Sequence, residues 1–379
     1  MNCYLCGSRS HIKILDKEKI RIWTNNSDTP SNKKTMYKCV IDQCEDCGHV
    51  YQPLDVKLRD ILRGIYLSDN AQASTPMGKG SWGIQRGKDF LNNIDLDNCK
   101  SAVEIGCANG YLLRQLKNKG FKELVGIEPS LKESGKIDGI LFLNDFADEK
   151  LKLPQKFDLI FSCAVFEHIE EIGNVIDFCR NNLNKEGRLF FSVPNAQRQL
   201  EDGDPDLFLH QHVHYYTVAS IATLLSKHGF GISKILSTKD SFHVTARISY
   251  TRNIKLHKKN ILYTNYRKKL DKVLAKVENI LCRNKVIVHG VNNGLNNILG
   301  WCNKDFNFDL VDGDETKHGR IYFNRVVKSI DNIKVNNYDT TLIIPVSFYE
   351  VIKSEYINRG FRGNIESIIP NNNTHFTHD

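Results

Sequence analysis

The sequence has no long apolar run. Nowhere do its 379 residues approach the roughly 18 consecutive apolar positions of a membrane-crossing helix. Its opening stretch, MNCYLCGSRS, has none of the apolar core of a secretory signal. A membrane partner is therefore not expected, and a mean hydropathy of −0.38 fits a globular cytoplasmic protein. In a reducing compartment eleven cysteines do not read as a disulfide framework; they read as metal ligands or small apolar side chains. Diffuse charge is also missing. The net charge is +8, but residues 252–285 hold eleven Lys and Arg against Asp271 and Glu278, so the rest of the chain is close to neutral. Leu262, Tyr266, Leu270, Val273, Leu274, Val277 and Leu281 recur every three or four residues in that segment. It reads as an amphipathic helix whose lysine-rich face is solvated, which argues against a nucleic-acid partner.

What is present centres on VEIGCANGYLL, residues 103–113. A β-branched run (Val103, Ile105) ends in Gly106-Cys107-Ala108-Asn109-Gly110, and an apolar helical pattern (Tyr111, Leu112, Leu116) follows at once. Small residues at 106, 108 and 110 let a ligand lie against the backbone. The next strand, LVGIE, places Glu128 22 residues past Gly106, close to the spacing of about 20 for a carboxylate that grips ribose hydroxyls. The pattern fits an adenosyl group. A dinucleotide site would want glycine at 108, where this chain has alanine.

The front of the chain carries Cys3-x-x-Cys6-Gly7 and Cys44-x-x-Cys47-Gly48. Two such knuckles put four thiolates on one ion and close its shell, which predicts a structural zinc; Cys39 and His49 are nearby competitors for a place in it. A helical pattern over 51–70 and a breaker-rich linker over 70–81 follow, then a helix from Trp82 to Leu96 and five strand–helix units to about Tyr250. The last two strands, SKILSTK and HVTARISY, have no helix between them and are expected as an edge hairpin. His210, His212 and His214 in LFLHQHVHYYT would share one face of an extended chain, as catalytic and packing groups or as a metal site. A second α/β unit follows, from KVIVHG with Asn292-Asn293-Gly294 through Asp312 to the closing IIP. The expected domains are 1–72, 73–251 and 252–379.

Glu104, Gly106 and Gly110, Glu128, Asn144-Asp145 after a third strand, and Phe166-Glu167-His168 after a fourth resemble class I S-adenosylmethionine methyltransferases. The whole order of parts, with CYLCGS, CEDCGHVYQ, VEIGCANG, FEHI, HQHVHYYT and IVHGVNNG, resembles the three-domain sugar C-methyltransferases. That resemblance implies a zinc module, a class I α/β methyltransferase sheet and a C-terminal Rossmann-like domain. It implies S-adenosylmethionine on Glu104, Gly106, Cys107, Ala108, Gly110, Tyr111, Glu128, Pro129, Asn144, Asp145, Phe146, Cys163 and His168, and zinc on Cys3, Cys6, Cys44 and Cys47. It further implies a nucleotide-linked keto-sugar substrate, in a monomer or homodimer.

In that family a base removes the proton beside the ketone, and the enolate takes the methyl group. The matching residues here are His212 as base, Gln211 where the family has glutamate, and Tyr215. The substrate tyrosine of the linker has no secure match, since Tyr66 sits early. Loss of the carboxylate at 211 leaves O-methylation on the same scaffold as an alternative. A zinc-ribbon RNA methyltransferase is opposed by the absence of an Asn-Pro-Pro-Tyr motif and of a nucleophilic cysteine after the fifth strand. A catalytically silent binding module would still need the cofactor residues seen here.

Overall fold

The computed structural model describes residues 2–23, 36–67, 77–249, 261–302 and 304–369. Most of the expected linker, the start of the basic segment and the C-terminal tail lie outside them. The described chain forms two compact units. One holds residues 1–17, 39–198 and 210–264, the other 18–38, 199–209 and 265–379.

The chain opens with β1 (His11–Arg21), β2 (Met36–Cys44) and β3 (Val50–Tyr51), followed by α1 (Val56–Leu67) and α2 (Gly80–Asn92). The strand predicted around Val103 is β4 (Ser101–Ile105), every residue of it buried, and it ends at Gly106 with φ 73°. A β-carbon there would stand 2.4 Å from Val165, so the turn needs glycine on both counts. Helix α3 (Tyr111–Asn118) starts directly after Gly110 and buries Leu112, Leu113 and Leu116.

Then come β5 (Glu123–Ile127), β6 (Gly135–Ile137), β7 (Ile140–Leu143), β8 (Phe157–Cys163), α4 (Ile172–Asn182), β9 (Leu183–Pro194) and α5 (Ala196–Asp202). They are followed by β10 (His214–Tyr215), α6 (Val218–Lys227), β11 (Phe230–Ser237) and β12 (Ser241–Ile248). Thr217 and Ser220 cap α6 reciprocally.

The main sheet runs β11-β12-β9-β8-β4-β5-β7-β6, with β4, β5, β7, β8 and β9 parallel. Period-two alternation buries both faces. Val103, Ile105, Ile160 and Phe191 pack with residues of α4 and α6, while Ala102, Leu159, Phe161 and Phe190 pack with residues of α2 and α3. The expected hairpin at the end is present as β11 and β12. One strand–helix unit is not as expected. Between β5 and β7 the chain makes the short antiparallel strand β6 instead of a helix, because Asp138-Gly139, both at positive φ, form a two-residue hairpin turn.

The second unit contains α7 (Tyr266–Leu281), β13 (Val286–His289), α8 (Asn293–Cys302), β14 (Phe308–Val311), β15 (Ile321–Tyr322), β16 (Arg325–Lys328), β17 (Thr340–Ile343), α9 (Tyr349–Asn358) and β18 (Asn364–Ser367). Its sheet order is β15-β16-β14-β13-β17-β18, parallel except for the β15–β16 hairpin. Helix α7 buries the predicted apolar stripe from Tyr266 to Leu281. No helix among the described residues is long and apolar enough to cross a membrane.

Candidate functional site

The turn after β4 is built as a ligand cradle. Ala108, at φ 45°, directs its N–H to Glu128 Oε2 at 3.1 Å, while Glu128 Oε1 accepts from Ser130 N at 3.0 Å and Ser130 Oγ at 2.8 Å. The carboxylate after β5 is thus fixed against the glycine turn through the start of the loop that Pro129 begins. Asn109 bridges Met77 O and Tyr111 N, and the Tyr111 ring fills the space between Gly78 and Gly87, where a β-carbon would come within 2.4 and 2.5 Å of it. These contacts bring the approach to α2 against the turn. Cys107 packs in the core beside Gly126. After β7, Asn144 ties to Ser134 Oγ and Leu131 O, Asp145 accepts from Phe146 N at 2.8 Å, and the Phe146 ring stands exposed. Cys163 closes β8, its thiol pushed up to about 12 by burial.

The cofactor test falls on Glu104. Its carboxyl is buried, its Oε2 has no partner, and burial together with the Glu128 charge raises its pKa well above the carboxylate range. An orphaned buried acid beside a glycine turn fits a cationic ligand group such as the ammonium of S-adenosylmethionine. In the second unit the acid that matches Glu128 is Asp312, which is likewise satisfied. Asp312 accepts from Val291 N, Asp314 N and Lys317, and the turn's Asn293 and Asn297 hold Phe208 O. Two results are expected from calorimetry. Glu128→Ala weakens S-adenosylmethionine at least tenfold, the cost of about 1.4 kcal/mol for a lost charge-assisted bond. Burial raises the Glu104 pKa and an arriving ammonium favours its ionised form, so cofactor binding is expected to release protons, with a heat that depends on the buffer's ionisation enthalpy, and Glu104→Gln to weaken that dependence. Unchanged affinity in the first variant would dismiss the Glu128 role.

At the front of the chain Cys3, Cys6, Cys44 and Cys47 converge, with all four sulfurs within 4.8 Å of one another. The Cys3–Cys47 and Cys6–Cys44 separations are 3.6 and 3.5 Å. A tetrahedron of sulfurs at about 2.3 Å from zinc has edges near 3.8 Å, so the donor set fits that ion. Gly7 and Gly48, both at positive φ, let each knuckle fold under its thiols. The predicted competitors do not join the four: Cys39 is buried apart from them, and His49 points its Nε2 to His214 Nδ1 at 2.9 Å.

The histidines of HQHVHYY do not share a face. Only His214 and Tyr215 lie in a strand; residues 210 and 211 form a turn, and the rings of His212 and His214 meet different partners. His214 pairs with His49, whereas His212 meets His168 from the FEHI motif, ring centroids 4.8 Å apart. His168 Nδ1 faces Gln211 O at 2.8 Å, and Tyr66 donates to the same carbonyl at 2.9 Å while lying 3.1 Å from His168 Nδ1. The other ring nitrogen, Nε2, is 3.8 Å from Glu167 Oε1. Burial lowers His168 to about 4, lowers His212 well below its ordinary value and raises Glu167 to about 8. At neutral pH this is two neutral imidazoles facing a carboxyl. Glu167, His168 and His212 offer ligand atoms within 4.8 Å, so the group could also hold a divalent cation.

Sequence reasoning placed His168 with the cofactor set and missed Tyr66 and Glu167 as members of this cluster. The FEHI resemblance was the available signal for Glu167, and the linker tyrosine for Tyr66. Gln211 enters through its backbone carbonyl, and Tyr215 lies in edge contact with His212 at 6.3 Å.

Residues 84–234 match the methyltransferase domain family. A tRNA U34 carboxymethyltransferase of Campylobacter hominis is 27% identical over 134 residues, 32% of this chain and 44% of that protein. The C-methyltransferase NovU of Streptomyces niveus is 24% identical over 245 residues, 61% of this chain and 56% of that protein. The chain thus spans about half the length of these curated relatives. Among solved structures, an S-adenosylmethionine-dependent methyltransferase from Mesorhizobium loti aligns at 18% identity and TM-score 0.37, over 44% of this chain and all of that one. The N-methyltransferase NodS of Bradyrhizobium japonicum in complex with S-adenosyl-l-homocysteine aligns at 16% and 0.36, over 50% and 98%. The turn after β4, with Glu104 and Glu128, lies inside the stretch that matches the methyltransferase domain family.

Proposed function

We propose that the protein methylates a carbon of a nucleotide-linked keto-sugar, with His212 as the general base. The observation that carries this reading is the cluster of half-buried His212, His168 and Tyr66 around buried Glu167. Carbon-acid chemistry needs a base that is neutral at working pH, and burial keeps His212 so. His168 and Tyr66 fix the turn through Gln211 O, and Glu167, a neutral carboxyl at rest, lies within 4.8 Å, where a histidinium formed by proton uptake would favour its ionisation and be stabilised by it. Glu167 thereby supplies what Gln211 lacks. S-adenosylmethionine, held on Glu104, Glu128 and the glycine turn, contributes an already activated methyl group. The chain's task is to hold the acceptor in line, exclude water and move one proton.

The likeness to the C-methyltransferase NovU supports this reading because it extends over 245 residues, beyond the 84–234 domain match, while the likeness to the Campylobacter hominis tRNA enzyme covers 134. O-methylation of a sugar hydroxyl is the alternative, favoured by Gln211 at the family's glutamate position. The test is incubation with methyl-labelled S-adenosylmethionine and a panel of nucleotide-linked keto-sugars in deuterium oxide. C-methylation is expected to wash deuterium into the carbon beside the ketone. Methyl transfer to oxygen without exchange would select the alternative, and transfer to tRNA with none to sugars would overturn both.

A further inference from the structure

We propose that Gln52, one residue past the strand that leaves the second cysteine knuckle, is the positioning residue for His212. The proposal rests on the reading of His212 as the base, and it begins from where β3 comes from. Cys44 N donates to His49 O and Gly48 N to Cys44 O, so the knuckle turn feeds directly into Val50–Tyr51. That strand pairs with β2 on one side and, at its other edge, with β10: Tyr51 opposite His214 and Val50 opposite Tyr215.

Beyond the ladder the pairing continues by other means. Gln52 N–H donates to Val213 O at 2.9 Å. Its side-chain amide donates to His210 O at 2.8 Å and to His212 O at 3.0 Å, with the residue 1% exposed. A primary amide has two N–H hydrogens, and two carbonyls on a non-extended turn use both. No acid, ester-like or apolar side chain of this size can do that. From the opposite side Val213 N donates to Glu167 O at 2.7 Å, so residues 210–213 are clamped between the zinc knuckle's strand and the FEHI turn.

A second link runs parallel to the first. His214 Nε2 donates to Ile169 O at 2.9 Å, which leaves its Nδ1 to accept from His49 Nε2. The Tyr4 ring packs edge-on against both Tyr51 and His214. The knuckles therefore bear on the backbone that carries His212, and Gln52 is the contact that sets the turn itself. Removing its donors strands two buried carbonyls and frees the turn to move. Displacement of about 1 Å in a reacting group is enough to cost on the order of 10²-fold in rate.

The test uses the full zinc-loaded chain with labelled histidine and follows the ring signals of His212 and His168 by NMR, with His228 as an internal control. Gln52→Met keeps the length and removes the donors. It is expected to retain about one zinc and S-adenosylmethionine affinity within about twofold of the parent, a change too small to reflect a lost direct contact. The His212 and His168 signals are expected to shift or broaden while His228 stays in place, and turnover on a responsive sugar substrate to fall about 10- to 100-fold in kcat with KM unchanged. Gln52→Asn, which keeps the amide but shortens its reach, is read in the same way if Gln52→Met loses zinc. Unmoved His212 and His168 signals overturn the proposal, as does zinc loss in both variants. Shifted signals in a protein that never methylates a sugar leave the positioning role standing and remove only the substrate reading.

Discussion

His212→Ala is expected to lower methyl transfer by a factor of about 10² to 10⁴ while leaving S-adenosylmethionine affinity intact, because general-base catalysis is worth that much and the residue lies outside the cofactor turn. The ring sits against His168, and burial keeps both neutral. Since each histidine's pKa is depressed, the rate is held above its ordinary value of 6.5 and declines only as pH falls below it, toward about 4 for His168. Gln211→Glu places a carboxylate next to His212 in the chain. It is expected to raise the basicity of His212 and move this acidic limb to higher pH. Steady-state rates across pH, with calorimetry of the cofactor, check both variants. If neither substitution moves the profile, the histidine cluster packs the site and the base lies elsewhere.

Removing one zinc ligand is expected to have the other large effect. Four sulfurs within 4.8 Å of one another would close the shell of one zinc ion, and structural zinc contributes about 10–16 kcal/mol in small peptide modules near neutral pH. Protein purified without added zinc should carry about one equivalent, and Cys44→Ala none. Because Cys44 ends β2 and its N–H holds His49 O, the loss should spread to β3 and through it to the turn bearing His212. Metal analysis and thermal unfolding test this. A parent without metal, or a variant that keeps its zinc and its thermal midpoint, would end the assignment.

The methyltransferase core was legible because its signals are local. A buried five-residue strand, a turn that tolerates positive φ at 106 and 110, and an acid at the end of the next strand must all be written within about 30 residues of sequence. The two knuckles were legible for the same reason, since ligand spacing within each is set by one turn of backbone. The β6 strand was missed although Asp138-Gly139 announces a hairpin, because the expected alternation of strand and helix overrode it.

Sequence by itself determined the glycine turn after β4, the two cysteine knuckles and the helical stripe of α7, each a matter of backbone periodicity and short-range sterics. Only the tertiary structure decided which histidines work together. His210, His212 and His214 are neighbours in the chain, yet past the turn at 210–211 His212 meets His168, 44 residues away, and His214 meets His49, 165 residues away. Likewise Tyr66 reaches His168, and Gln52 reaches the carbonyls of His210 and His212. These partners are chosen by where sheet order and strand pairing bring distant segments. No spacing along the chain encodes that, because the pairing is specified by burial of whole faces and not by any one residue.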